Sequence, residues 1–271
     1  AVIIAIDMGN TNAVIGCMEG EKMVCTSHIS TDRSKTVDEY ALLFKGILEM
    51  HGIDPNALEG GIISSVVPML RPVLRDAVER LTGKRPLLVG AGVKTGLNIK
   101  IDNPAQLGGD LVVAAVGACA KYPRPIVLFD MGTATTVSVI DRSGSYLGGM
   151  IIPGLRVAVD ALSARASQLP LNISLEAPES LIGANTIDCM RSGAIYGNAA
   201  MLDGIIDRVE EELCAPVTAV ATGNLISMVL PYCERKIHPE PNLLLHGLRL
   251  LYEKNTRKSR HTAGGEGGDD R

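Results

Sequence analysis

One short motif occurs twice in this chain of 271 residues, once at its start and once near its middle. The first copy, within residues 3–15, contains Asp7-Met8-Gly9, and the second, within residues 126–139, contains Asp130-Met131-Gly132. In each copy an apolar run leads into Asp-Met-Gly, a few small polar residues follow, and a second apolar run begins. This order predicts a strand, a tight turn and a second strand, with a carboxylate at the turn. Because the motif is repeated, we expect two halves of related fold.

The composition argues against two classes of partner. Hydrophobic residues make up 46% of the chain and aromatic residues only 3%, so the core must be aliphatic. The formal net charge of −4 offers no basic surface to a nucleic acid. No apolar run approaches the roughly 20 residues of a membrane span. The six cysteines lack metal-binding spacing, which favours reduced thiols and a cytoplasmic protein.

Apolar periodicity predicts alternating strands and helices in both halves. Residues 1–124 begin with a three-stranded meander, and Thr36 with Glu39 forms a capping-box signature before the first helix. Residues 106–120 also fit a helix. Residues 125–255 begin with the second hairpin and contain a long predicted helix from Thr186 to Leu213. We therefore predict an α/β protein with two duplicated halves, each a mixed sheet flanked by helices, about a central cleft. Residues 256–271 are polar and Gly-rich, which predicts a disordered tail.

The first turn has the chemistry of a phosphate-binding loop. Gly9 permits close approach of the backbone to an anion, and Asn10, Thr11 and Asn12 add hydrogen-bond donors. Asp7 is suited to Mg²⁺, which prefers carboxylate and water oxygens. A hairpin turn without a ligand is the alternative, but the second copy favours phosphate binding.

The second copy adds threonine hydroxyls. Thr133, Thr135 and Thr136 follow Gly132, and their hydroxyls suit phosphate oxygens, although β-branched residues also favour strands. Two further glycine-containing segments are candidate ligand loops. They are residues 148–154 and the Thr222-Gly223-Asn224 segment, which follows a predicted strand and could lie by a nucleoside.

A carboxylate follows a pair of glycines at Gly108-Gly109-Asp110. Two glycines cost about 1 kcal/mol each inside a helix, which indicates a need for close backbone access there. Asp110 is therefore a candidate general base. A helix cap or a surface aspartate is the alternative, and the sequence alone favours it.

Taken together, these motifs resemble the type III pantothenate kinases of the acetate and sugar kinase/Hsp70/actin superfamily. The resemblance covers about residues 1–255. It rests on the Asp7 and Asp130 motifs, on Asn103-Pro104 with Gly108 and Asp110, on residues 148–154 and 183–193, and on Thr222-Gly223. It implies that both halves have the actin/ribonuclease H-like fold. It also implies a homodimer that requires Mg²⁺ and either K⁺ or NH₄⁺, with ATP as co-substrate.

The resemblance also implies roles for individual residues. Asp110 would be the catalytic proton acceptor, Asp130 would hold the monovalent cation, and Asp7 would hold Mg²⁺ through water, although Asp130 could instead be a second Mg²⁺ contact. The predicted ATP-binding residues are Asp7, Met8, Gly9, Asn10, Thr11, Asn12, Ala13, Val14, Gly132, Thr133, Thr222 and Gly223. The predicted pantothenate-binding residues are Ile101, Gly108, Gly109, Asp110, Leu111 and Thr186.

Three positions depart from the family pattern. The family commonly has Arg where Leu111 stands, Tyr where Ile101 stands and a second Gly where Asn224 stands. The first two departures remove a cation and a hydroxyl from the expected pocket. The substrate carboxylate could instead be held by backbone amides near Gly108-Gly109, or by Arg156, Arg165 or Arg191.

The predicted activity is ATP-dependent phosphorylation of pantothenate to 4'-phosphopantothenate, the first step of coenzyme A biosynthesis. The predicted partners are pantothenate, ATP and a second copy of the chain, without nucleic acid or membrane. Two alternatives remain open at this point. One is a kinase of the same fold that acts on another small hydroxyl compound, and the other is a non-catalytic ligand-binding regulator.

Overall fold

The computed structural model describes the backbone of residues 1–262 and the side chains of residues 1–256. The strands are β1 (Val2–Met8), β2 (Asn12–Glu19), β3 (Lys22–Ser30), β4 (Leu58–Ser65), β5 (Leu87–Leu88), β6 (Asn98–Ile99), β7 (Ile126–Met131), β8 (Ala134–Ile140), β9 (Ser145–Pro153), β10 (Thr218–Thr222) and β11 (Ile237–Pro239). The α-helices are α1 (Val37–Met50), α2 (Leu70–Thr82), α3 (Gly109–Lys121), α4 (Leu155–Arg165), α5 (Thr186–Leu213), α6 (Ile226–Val229) and α7 (Leu243–Thr262). Within the described part of the chain, no helix is both long and apolar enough to span a membrane.

Two mixed sheets share one strand order. The first sheet runs β3-β2-β1-β4-β5, and the second runs β11-β10-β7-β8-β9-β6. In each, a hairpin is extended on one side by an antiparallel strand and on the other by two parallel strands. The second sheet adds the short β6 beside β9. This duplication of five strands confirms the two related halves that the repeated motif predicts.

The chain forms two compact units whose boundaries differ from the predicted ones. Among the described residues, the first unit comprises residues 1–96, 105–117 and 243–262. The second comprises residues 97–104 and 118–242. The difference arises because α7 packs on β1, β2 and β4 rather than on the sheet that precedes it in sequence.

Each face of the first sheet has its own apolar core. Ile4, Ile6 and Met8 pack with α1 and α2, while Ile3 and Ala5 pack with α3 and α7. This alternation is the period of two expected of a strand covered on both faces. In the second unit, α4, α5 and α6 pack on β7, β8 and β10 around a core that includes Phe129 and Leu202. The aliphatic composition thus supplies two apolar clusters in the first unit and one in the second.

Several local predictions are confirmed. The capping box before α1 is present, because Thr36 accepts the Glu39 N–H and the Glu39 carboxylate accepts the Thr36 N–H. The long helix α5 spans Thr186–Leu213, as predicted. The six cysteines are free thiols.

Three predictions of element boundaries are wrong. The helix expected over residues 106–120 begins at Gly109, because Pro104–Gln106 forms a separate 3-10 turn. Residues 148–153, expected as a loop, belong to β9 and pair with β8. Residues 256–262, expected in a disordered tail, extend α7 to Thr262, and residues 263–271 lie outside the described part.

Candidate active site

The first turn is a compact loop at the end of β1. The Gly9 N–H donates to the Asn12 carbonyl at 2.9 Å and closes it. A Cβ on Gly9 would lie 2.8 Å from that carbonyl oxygen, so only glycine fits without rearrangement. Asn10, Thr11 and Asn12 form the exposed tip, and Asp7 lies partly buried before it. The loop therefore presents polar side chains outward, while Met8 and Ala13 anchor it in the core.

The chain after β3 supports this turn from the side. Thr31 donates through its hydroxyl to the Gly9 carbonyl at 2.7 Å and through its N–H to the Thr11 carbonyl at 2.8 Å. Arg33 donates to Asn10 Oδ1 at 3.1 Å. An exposed cation thus lies against the tip, where it would favour a bound anion. Sequence reasoning missed Arg33, because no motif marks a residue that reaches the loop only through the pairing of β3 with β2.

The second turn is one residue shorter than the first. Met131 pairs with Thr135 across the hairpin, and the Gly132 N–H donates to the Ala134 carbonyl at 3.0 Å. Thr133 is the exposed tip residue. The Gly154 N–H donates to the Thr133 carbonyl at 3.1 Å, so the start of α4 supports this turn.

Thr222 and Gly223 lie beside the second turn. Thr222 is buried and pairs with Asp130 across parallel strands β10 and β7. Gly223 has φ +103° and packs against the backbone of Met131. The structure thus brings Asp130, the second turn and Thr222-Gly223 together within the second unit, as the predicted nucleotide segments require.

Asp110 occupies the first turn of α3 and has the contacts of a helix cap. Its carboxylate accepts the backbone N–H groups of Asp110 and Leu111. Burial raises the pKa of Asp110 above its usual value, and these two hydrogen bonds oppose the rise. A Cβ on Gly108 would lie 2.6 Å from Asp110 Oδ1, so Gly108 leaves room for the carboxylate. The contacts of Asp110 are thus those of a helix cap, and its burial is also a feature expected of a general base.

Ser64 connects this helix start with the first turn. It pairs with Asp7 across the parallel strands β1 and β4. A Cβ on Gly109 would lie 3.7 Å from Ser64 Oγ. The Asp7 and Asp110 segments therefore approach one another within the first unit. Sequence reasoning missed Ser64, although two serines at the end of an otherwise apolar strand were a visible signal.

The remaining predicted pocket residues lie on three elements. Leu111 is partly buried on α3 and carries no charge, so the structure offers no cation at that position. Ile101 is partly buried near Gly148, whose Cβ position is 3.8 Å from Ile101 Cγ2. Thr186 is the exposed first residue of α5, which Asn185 caps.

The three candidate arginines differ in their contacts. Arg156 donates to the Ile173 carbonyl at 3.0 Å, and Arg191 donates to the Ser174 carbonyl at 3.0 Å. Both therefore anchor the segment between α4 and α5. Arg165 is exposed in the last turn of α4.

The Asp7 carboxylate suits a magnesium ion that binds together with a nucleotide. Among the described residues, no group of three or more His, Cys, Asp or Glu side chains could hold a metal by itself. Mg²⁺ commonly takes one or two carboxylates and completes its shell with water and substrate phosphates. A single carboxylate at the end of β1, beside a glycine turn, matches that pattern.

Two duplicated sheets with glycine turns define a protein of the actin-like class of nucleotide-binding folds. Solved structures support this assignment of fold. The chain superposes on MreB 5 of Spiroplasma citri bound to AMPPNP with a TM-score of 0.57 at 11% identity, covering 97% of this chain and 98% of that one. It superposes on the activator of 2-hydroxyisocaproyl-CoA dehydratase from Clostridium difficile with a TM-score of 0.53 at 12% identity, covering 99% and 100%.

The chain belongs to the type III pantothenate kinase family, whose model matches residues 3–208. It is 43% identical over 256 residues to the type III pantothenate kinase of Exiguobacterium sp., covering 94% of this chain and all of that protein. It is 41% identical over 255 residues to that of Moorella thermoacetica, again covering 94% of this chain and all of that protein. The resemblance stated from the motifs is thereby confirmed.

Proposed function

We propose that this protein transfers the γ-phosphoryl group of ATP to the primary hydroxyl of pantothenate, the first step of coenzyme A biosynthesis. The observation that carries the proposal is the partly buried Asp110 at the start of α3, in the unit that also holds the Asp7 turn. Membership of the family, with relatives named type III pantothenate kinase at 43% and 41% identity, supports the choice of substrate.

Asp110 would accept the proton of the attacking hydroxyl. A carboxylate suits this role when its pKa lies above the usual value but below the working pH, and burial moves the pKa of Asp110 in that direction. The carboxylate would exchange its bonds to the helix amides for one to the hydroxyl. Gly108 and Gly109 would leave the space in which the substrate approaches, and Leu111 would line it within the first unit. Ile101 and Thr186 remain predicted substrate contacts of the second unit.

Each unit carries a glycine turn whose chemistry suits phosphate oxygens. In the first unit, residues 7–14 would donate backbone and side-chain N–H groups, and Arg33 would add a positive charge beside Asn10. In the second unit, Gly132, Thr133 and the Thr222-Gly223 pair would contact the nucleotide. Donors fixed by hydrogen bonds before the reaction need no reorganisation as charge develops on the transferring group.

Two carboxylates would hold the cations. Asp7 would hold Mg²⁺ through water, and Asp130 would hold K⁺ or NH₄⁺. When bound, Mg²⁺ supplies electrostatic stabilisation of the phosphoryl oxygens.

The residues that would bind the substrate carboxylate differ from the family pattern, because Leu111 stands where the family commonly has Arg. Leu111 cannot pair with an anion, and an unpaired anion in a pocket is costly. Backbone amides near Gly108-Gly109 and the side chains of Arg156, Arg165 and Arg191 are the available replacements. The KM for pantothenate in Arg156→Ala, Arg165→Ala and Arg191→Ala tests them. If none of the three raises KM, the amides or a different substrate become the better explanation.

We propose a homodimer in the cytoplasm. The long helix α5 is not the main candidate interface, because its apolar residues are mostly buried in the core of its own unit. Most of the exposed apolar side chains of the second unit lie outside α5, at Met150, Ile151, Val157, Leu162, Leu171, Leu181 and Ile182, and Ile187 lies in the first turn of α5. These exposed apolar side chains support association, and the six free thiols support a reducing compartment.

A coupled ADP-release assay tests the activity and distinguishes it from the two alternatives, a kinase of another small hydroxyl compound and a non-catalytic regulator. We expect ADP release that requires pantothenate and Mg²⁺ and is faster with K⁺ than without it. Release with another small hydroxyl compound but not with pantothenate would favour the second kinase hypothesis. Nucleotide binding without any turnover would favour the regulator.

A further inference from the structure

The Ser64 hydroxyl is a buried polar group with no hydrogen-bond partner among the described residues. The residue is 1% exposed, and its Oγ is one of four buried side-chain atoms of this kind. A buried hydroxyl without a partner is uncommon, because the bonds it makes to water when unfolded are lost without replacement. The position therefore points to a small polar group that binds beside it in the working protein.

The register of the first sheet places this hydroxyl beside Asp7. Ser64 and Asp7 are paired residues on neighbouring parallel strands, so their side chains emerge on the same face of the sheet. It is the face on which Ile62 of β4 and Ala5 of β1 pack against α3 and α7. Both residues lie at the carboxyl ends of their strands, where ligands bind in sheets of this kind.

The start of α3 limits what can reach the hydroxyl. A Cβ on Gly109 would lie 3.7 Å from Ser64 Oγ and 3.3 Å from Val89 Cγ1. A side chain at this position would crowd Val89, so glycine keeps a Cβ out of the region beside the Ser64 hydroxyl. A water molecule can bridge polar groups that are too far apart for direct contact. The Asp7 carboxylate lies on the same face, at the position of β1 that pairs with Ser64.

We propose that Ser64 is a positioning residue for the magnesium-nucleotide. Its hydroxyl hydrogen-bonds a water molecule that Asp7 also holds and that belongs to the hydration shell of Mg²⁺, which usually keeps several waters in nucleotide sites. Ser64 thereby orients the shell of the ion without touching the nucleotide. The inference deepens the proposed function and rests on Asp7 as the magnesium-side carboxylate.

Isothermal titration calorimetry on the full chain tests the proposal. The ligand is AMPPNP, titrated once with excess Mg²⁺ and once with EDTA, into the wild type, Ser64→Ala and Ser64→Cys. Ser65→Ala is the matched control, because Ser65 is the next residue of β4 and its hydroxyl is committed to Val67, donating to the carbonyl at 3.2 Å and accepting the N–H at 3.1 Å. The cysteine variant keeps nearly the volume of serine and covers the case in which the alanine variant does not fold.

We expect both Ser64 variants to bind Mg²⁺-AMPPNP about tenfold more weakly, the equivalent of one net hydrogen bond. Their affinity for AMPPNP with EDTA should match the wild type within about twofold, and Ser65→Ala should show no magnesium-selective loss. Equal losses with and without Mg²⁺, or no loss, would overturn the proposal. So would a raised pantothenate KM with unchanged Mg²⁺-AMPPNP affinity, which would place Ser64 against the acceptor. A wild type that binds Mg²⁺-AMPPNP but never turns over pantothenate would reject the proposed function instead, and the calorimetric comparison would still decide the role of Ser64.

Discussion

Gly223 packs directly on Met131: a Cβ on Gly223 would lie 2.4 Å from the Met131 carbonyl oxygen and 2.7 Å from its nitrogen. The contact joins the end of β10 to the residue just before the second glycine turn. Because both partners are backbone, neither can move aside as a flexible side chain would. Gly223 therefore fixes the position of the turn that we assign to the nucleotide.

We expect Gly223→Ala to destabilise the protein by about 3 kcal/mol or more. A left-handed φ costs a residue with a Cβ about 1–2 kcal/mol, and a forced clash adds about 1–3 kcal/mol. Urea unfolding followed by circular dichroism measures the effect. Gly197→Ala is the control, because Gly197 is an exposed residue within α5 with nothing within 4 Å of its Cβ position. It should stabilise the protein by about 0.5–1 kcal/mol, and a similar loss in both variants would contradict the assigned contact.

Local sequence signals predicted the parts of the fold that depend on neighbouring residues. The repeated Asp-Met-Gly hairpins, the Thr36–Glu39 capping box and α5 all follow from turn chemistry, caps and apolar periodicity. The start of α3 did not follow, because Pro104 suits the first turn of a helix, yet Pro104–Gln106 forms a separate 3-10 turn. The Gly108-Gly109 pair was the local signal of a break in the helix.

Long-range pairing accounts for the rest of what sequence reasoning missed. The packing of α7 on the first sheet depends on an apolar face formed by residues that are far away in the chain. A short stretch of sequence does not predict such a contact. The role proposed for Ser64 likewise depends on its pairing with Asp7 on the neighbouring strand. The candidate site was predictable where chemistry is carried by a motif, as at Asp7, Asp110 and Asp130, and not where it is carried by a residue brought in from another strand.

Asp110→Asn should abolish most turnover. Losing a general base costs about 10²–10⁴ in rate, while the amide keeps the shape of the side chain and can still accept the helix N–H groups. Steady-state kcat in the ADP-release assay measures the loss, and AMPPNP affinity provides the control. A purified variant with near-normal kcat would show that Asp110 is not the base.

The same variant should be more stable than the wild type at neutral pH. Burial raises the pKa of Asp110 in the folded protein above the ordinary 3.8, so ionising this group opposes folding. That cost is absent below pH 3.8, grows as the pH rises and is fully present above the folded pKa. Asparagine never ionises, so its advantage in melting temperature should be largest near pH 7 and vanish toward pH 4. A constant difference across this range, or a lower melting temperature at pH 7, would contradict the assignment.

Activity should require K⁺ or NH₄⁺, with Na⁺ a poor substitute. The reason is Asp130, whose carboxylate we assign to a monovalent cation at the second turn, with Asp7 assigned to Mg²⁺. Initial rates in K⁺, NH₄⁺ and Na⁺ buffers at fixed ionic strength test this, with Asp130→Asn expected to remove the difference between the cations. Full activity in a buffer that contains only Na⁺ would eliminate the cation site and favour a second Mg²⁺ contact at Asp130.

The protein should be a dimer that depends on exposed apolar side chains of the second unit. Ile182 is 83% exposed and Leu181 is 61% exposed, and both precede α5, where the Ser192 hydroxyl binds the Leu181 carbonyl. Burying one such side chain contributes about 1.5–3 kcal/mol, so a charge in its place should weaken association at least tenfold. Light scattering across a concentration series should give a dimer mass for the wild type and a shift toward monomer for Ile182→Glu. Leu42→Glu is the matched control, because Leu42 is 68% exposed on α1 of the first unit and should leave the dimer intact. A monomer mass for the wild type at every concentration would reject the dimer, and equal dissociation in both variants would reject this surface as its interface.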